Sequence, residues 1–202
     1  MSPGYVPRCL VPGYSSIVER RAASPEDRDL LGRAADGLTL GRAVLAVTLI
    51  PVLGTRRTAL GAAIVGSAWL SDFLDGRAAR ASAGPTSLGR FDLWADTLVG
   101  AGVVLGFVAS GWVPAMIGLG IVVILLAAFT LTRNEAMSML LEATGYALVL
   151  WRTWRDGLTA PLLWLLAIIA IIAFVNRQVF WERSLPTFLG GLADVFRGRA
   201  SR

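Results

Sequence analysis

Two stretches limit what this chain can fold into. WVPAMIGLGIVVILLAAFTLT, at 112–132, and APLLWLLAIIAIIAFV, at 160–175, contain no charged residue. A helix rises ~1.5 Å per residue, so about 20 apolar residues cover the ~30 Å of hydrocarbon in a bilayer. Inside lipid every backbone N–H and C=O must find its partner within the chain, which a helix achieves by itself. The composition agrees: 55% of residues are hydrophobic, 16% are charged and the mean hydropathy is +0.63. The expectation is therefore an all-α integral membrane protein.

Apolar periodicity predicts six transmembrane helices, over 38–54, 58–74, 92–111, 114–132, 136–151 and 159–175. The connections are short, so consecutive helices should run antiparallel and pack directly. Residues 1–37 form a polar N-terminal segment without the pattern of a signal peptide, 38–176 a six-helix membrane domain, and 177–202 a basic tail. Within the N-terminal segment, Ser24, Pro25 and the acids after them make a helix start, with Leu30, Leu31 and Ala34 on one side. That pattern predicts a juxtamembrane amphipathic helix. All 19 basic residues are arginine. Fourteen of them fall in the N-terminal segment, the loops after spans two and four, and the tail, which places those regions and both termini in the cytoplasm. Trp112, Trp151 and Trp154 would then mark the outer interface. Gly102 with Gly106, and Ala62 with Gly66, are spaced for close helix packing inside the protomer, with a homodimer face as a second use.

With no lysine and no histidine, the chain has neither an imidazole base nor a Schiff-base amine, and one cysteine, Cys9, cannot build a thiolate metal site. Its chemistry must use carboxylates. Asp72 and Asp75 lie three apart at the end of span two, and Asp92 and Asp96 four apart at the start of span three, so each pair shares a helix face. Antiparallel packing would bring all four together, where like charges repel unless cations intervene. Oxygen-only donors select a hard ion, Mg²⁺ or Mn²⁺ with Ca²⁺ as a further choice, rather than structural zinc, and two such ions would neutralise four carboxylates and could hold a phosphoryl group between them. The plainer reading leaves these aspartates at the membrane surface, paired with Arg77, Arg80 and Arg90. The formal charge of +5 suits anionic lipid or a phosphorylated ligand; no nucleic-acid partner is expected.

The full pattern, Asp72-x-x-Asp75-Gly76-x-x-Ala79-Arg80, eight residues, Gly89, then Asp92-x-x-x-Asp96, resembles the signature of the CDP-alcohol phosphotransferase family. Two residues separate Gly89 from Asp92, where the family usually has three. The resemblance implies a six-span membrane enzyme of phospholipid biosynthesis that passes a phosphatidyl or related group from a CDP-linked donor, such as CDP-diacylglycerol, to an alcohol and releases CMP. It implies that Asp72, Asp75 and Asp92 bind a metal pair and that Asp96 both touches metal and acts as general base. Gly76, Ala79 and Arg80 would line the nucleotide pocket. In span one, ADGLTLGR is similar to the family's Pro-Asn-x-Leu-Thr entry, which implies nucleotide contacts from Asp36 and Thr39.

Glu142 lies inside span five, a costly place for a carboxylate unless it faces a polar cavity. Two roles are open: binding the alcohol acceptor together with Arg133, or a structural ion pair with Arg133 or Arg42. The rival to the enzyme is a divalent-metal transporter or metal-gated protein, which would place acids deeper along several spans; a third reading is an inactive family member in an assembly. The acceptor's identity is not encoded in the motif.

Overall fold

The computed structural model describes residues 25–81, 91–177, 181–182 and 185–196. Among them there are seven helices and no strand: α1 (Pro25–Gly54), α2 (Thr58–Ala81), α3 (Asp92–Ala109), α4 (Ala115–Thr132), α5 (Glu135–Arg155), α6 (Thr159–Val175) and α7 (Leu185–Phe196). The expected amphipathic segment and the first span are not separate elements. From Pro25 the helix runs unbroken for 30 residues to Gly54. Nothing between the two segments breaks a helix, since Gly32, Gly37 and Gly41 each cost only about 1 kcal/mol relative to alanine. Residues 1–24 lie outside the described region.

Helix α3 is the axis of the bundle and packs against α1, α4 and α5. Small residues allow this. A Cβ on Gly102 would stand 2.3 Å from the Ala46 carbonyl oxygen of α1, and one on Gly106 2.9 Å from that of Leu49. On its α5 side, a Cβ on Gly100 would meet the Glu142 Cα at 2.8 Å. The Gly102–Gly106 pair is thus spent on packing within the protomer, not on a face left open for a second copy. Gly66 does the same for α2, where a Cβ would meet the Trp164 indole of α6 at 2.6 Å. Leu49, Leu53, Val65, Val99, Val103, Phe107 and Leu165 fill the space between these helices.

The outer sides of α4 and α6 are apolar and uncovered: Met116, Ile124 and Leu131, and Leu163, Ile171 and Phe174, are exposed. So large an apolar surface is what a bilayer covers. Three helices have the length and hydropathy to cross one, over Gly32–Gly54, Asp92–Ala109 and Ala115–Thr132, and α6 is equally apolar but shorter at 17 residues. Helices α2 and α5 have the length, 24 and 21 residues, and carry charged side chains.

Three turns meet at one end of the bundle. Arg56 donates to the Ser110 carbonyl at 3.0 Å, the Thr58 hydroxyl donates to Asp156 at 2.7 Å, and the Arg152 guanidinium lies 3.9 Å from the Trp112 ring centre. At the opposite end Arg133 adopts φ 54° to stop α4, and the Asn134 side chain caps α5 by accepting from the Ala136 N–H at 3.0 Å. The same asparagine donates to the Gly191 carbonyl at 2.9 Å, which ties α7 to the start of α5. Phe188 and Leu192 of α7 pack in a cluster with Phe129, Met137, Leu93 and Trp94.

Candidate active site

The helical spacing of the aspartates does what it predicts. Carboxylate oxygens of Asp72 from α2 and of Asp92 and Asp96 from α3 lie within 4.8 Å of one another. Asp75 lies on the inner side of this group, only 4% exposed, and faces α1. There the Thr39 hydroxyl lies 3.3 Å from one Asp75 oxygen and 3.2 Å from the Ala35 carbonyl one turn back. Thr39 is therefore buried as a support for Asp75. Asp36, expected beside it, is half-buried one turn earlier on α1.

The residue at the centre of the cluster is Arg42, which is 1% exposed. Its guanidinium donates to Asp72 at 2.8 Å and also to Asp75, Asp92 and Asp96. The planar guanidinium presents five N–H donors in a fixed fork, enough to serve several carboxylates at once. One positive charge still leaves a group of four carboxylates strongly anionic. Among the described residues Arg42 Nε is the one buried side-chain polar atom without a partner. An N–H so placed is suited to an acceptor oxygen brought by a substrate.

Three carboxylates from two helices, with ligand oxygens this close and a residual negative charge, fit a hard divalent ion by donor type and charge. Gly76, Ala79 and Arg80 extend α2 beyond Asp75, so the backbone carries them away along the same helix; their side chains lie outside the described residues. So do Gly89, Arg90 and the rest of the 82–90 connection.

Two openings reach Arg42. One is a cavity of about 310 Å³ bounded by α2, α3, α5 and α6, with Asp72, Asp96 and Glu142 at its polar end and Trp69, Tyr146 and Ile172 among its walls. Trp69 and Tyr146 pack edge to face, with ring centres 4.6 Å apart. The other is an apolar groove of about 610 Å³ between α1 and α2, lined by Gly37, Gly41, Val44, Ser67 and Ser71. Glu142 accepts a hydrogen bond from Ser138 at 3.2 Å, and Ser138 in turn shares one with Thr97 at 2.6 Å. Arg133 is exposed at the α4–α5 turn and does not line the cavity with Glu142.

Sequence reasoning missed Arg42 as a member of the cluster and named it only as an alternative partner for Glu142. The signal was present, because an arginine inside a span is expected to face polar partners within the bundle.

Comparison with known proteins agrees with the motif. The profile of the CDP-alcohol phosphatidyltransferase family matches residues 33–196, a range that contains every aspartate of the cluster, Arg42 and Glu142. No curated protein and no solved structure matches the chain.

Proposed function

The chain belongs to the CDP-alcohol phosphatidyltransferase family, and from that premise we propose that it transfers a phosphatidyl or related group from a CDP-linked lipid donor to an alcohol, with release of CMP, in phospholipid synthesis. Membership of the family supports a transferase acting on a CDP-alcohol. The observation that carries the finer reading is the gathering of Asp72, Asp92 and Asp96 around one guanidinium, where two apolar openings meet.

Asp72, Asp75, Asp92 and Asp96 would hold Mg²⁺ or Mn²⁺, two ions in this reading; bound there, the metal neutralises phosphate charge and withdraws electrons from phosphorus. Asp96, which lines the cavity, takes the proton of the acceptor hydroxyl. The freed oxygen attacks the donor's β-phosphorus, a new P–O bond forms, and the bond to the α-phosphate oxygen breaks as CMP leaves with the electron pair. Arg42 keeps the carboxylates in register and can offer Nε–H to a phosphate oxygen. Gly76, Ala79 and Arg80, with Asp36, would contribute to the cytidine diphosphate site. The α1–α2 groove gives the lipid part of the donor a path into the bilayer.

In this reading all six helices α1 to α6 cross the membrane, the N-terminal part of the unbroken α1 extends beyond its surface, and the cluster and both termini face the cytoplasm. The arginine distribution supports that orientation.

The test is CMP release from CDP-diacylglycerol by purified protein supplied with a panel of alcohols, with and without Mg²⁺ or Mn²⁺. Release should require the ion and stop with EDTA. Asp96→Asn should lower turnover by about 10² or more while nucleotide binding persists. Metal-independent release, or full activity in that variant, would remove Asp96 and the cluster from the chemistry.

A further inference from the structure

The 310 Å³ cavity has an uneven chemistry. Its polar end carries three carboxylates, Asp72, Asp96 and Glu142, and the one cation among its described lining residues is Arg42. Arg42 is already committed to four aspartates. The remaining wall is Ala68, Val99, Ile169, Ile172 and Ala173, with the Trp69 and Tyr146 rings. Glu142 is not a loose surface acid. Gly100, one turn beyond Asp96 on α3, lets the α5 backbone approach so closely that a Cβ there would come within 2.9 Å of the Glu142 nitrogen. The Ser138 hydroxyl then holds its carboxylate.

We propose, building on the transferase reading above, that this cavity is the acceptor site and that it selects an alcohol bearing no phosphate or other anion, with Glu142 as the residue that enforces the choice. A phosphorylated acceptor entering hydroxyl first would bring its own charge among carboxylates, of which Asp96 is the less exposed at 20% and the less screened. Even with cations on the aspartates, Glu142 adds a further carboxyl group on the acceptor side, held by Ser138 and outside the set of aspartates that Arg42 bonds. The apolar walls instead suit an alcohol with a hydrocarbon flank, such as an alkylglycerol, whose hydroxyl reaches Asp96 while its chain lies along α6. Glu142 acts here through charge and hydrogen bonding to the acceptor and takes no proton in the transfer.

The test compares two acceptors that differ by one phosphate, a 1-alkylglycerol and the same 1-alkylglycerol 3-phosphate, in nanodiscs with CDP-diacylglycerol and Mg²⁺. The uncharged alcohol should be used at least about tenfold better in kcat/KM, the size of effect that one well-placed charge produces. Glu142→Gln should narrow that ratio, mainly by lowering KM for the phosphorylated partner and with little change in kcat. Glu142→Asp, which keeps the charge, should retain the preference. Binding is followed separately through the fluorescence of Trp69 in the cavity wall, with Trp69→Phe as the blank. The uncharged alcohol should change that signal and its phosphate should not. Preference for the phosphorylated acceptor, or an unchanged ratio in the folded Glu142→Gln protein, would overturn this inference and leave the transferase reading intact. Absence of CMP release with every alcohol would overturn both.

Discussion

Arg42→Met is the substitution that most directly examines the cluster. Methionine keeps an unbranched side chain of similar length, so the loss is the charge and its hydrogen bonds and little of the packing. The guanidinium is almost wholly buried and serves four carboxylates. Removing one partner from a buried ionic group costs about 3–5 kcal/mol, because the opposite charges are left without compensation. The geometry gives a consistent figure. Two carboxylates 4.8 Å apart, the outer limit for the Asp72, Asp92 and Asp96 oxygens, repel by about 3.5 kcal/mol at an effective dielectric constant near 20. Part of that is lost to solvent, since the Asp72 side chain is 52% exposed. For a chain of this size each kcal/mol moves Tm by roughly 2–4 °C, so a fall of about 10 °C is expected in detergent without divalent ions. Adding Mg²⁺ or Mn²⁺ should then raise Tm more in the variant than in the parent, because the unpaired carboxylates bind a cation with no guanidinium to oppose it. A thermal-shift titration measures both quantities. Parental stability together with a metal response no larger than the parent's would mean that Arg42 does not hold these carboxylates together.

Two further predictions concern glycines that differ in their surroundings. Gly102→Ala should destabilise by about 1–3 kcal/mol, because its Cβ would be driven to 2.3 Å from a backbone oxygen that cannot rotate away; Gly120→Ala, inside α4 and meeting nothing within 4 Å, should raise Tm slightly through its better helix propensity, and equal effects would argue against the α1–α3 contact. Gly41→Phe also meets no neighbour at its Cβ but projects into the α1–α2 groove. Its Tm should be parental while KM for CDP-diacylglycerol rises several-fold, and an unchanged KM would move the donor's lipid elsewhere.

The parts of this molecule that were legible in the sequence are those fixed by local periodicity. Charge-free runs give α4 and α6, and aspartates three and four residues apart share a helix face whatever surrounds them. The continuity of α1 was harder to read, because a polar stretch followed by an apolar one resembles two elements when no breaker or cap is weighed between them. Arg42 showed in the sequence as a charge inside a span, but which groups it meets was out of reach. Its partners are 30 to 54 residues away on two other helices, and the register of α1 against α3 is set by the Gly102 contact with Ala46, which no single-helix pattern reveals. Glu142 lay between these cases: its burial marked it as anomalous, but its place beside Asp96 follows from the α3–α5 approach at Gly100.

The cluster formed by α7 reaches further than a tail would suggest. Leu93 and Trp94 are two of the three residues between Asp92 and Asp96, and they rest on the same apolar patch as Phe188 and Leu192. The C-terminal helix therefore works as a splint on the turn that carries two of the clustered carboxylates. A chain shortened before Leu185 would keep all four clustered aspartates and still lose the backing that sets their aim.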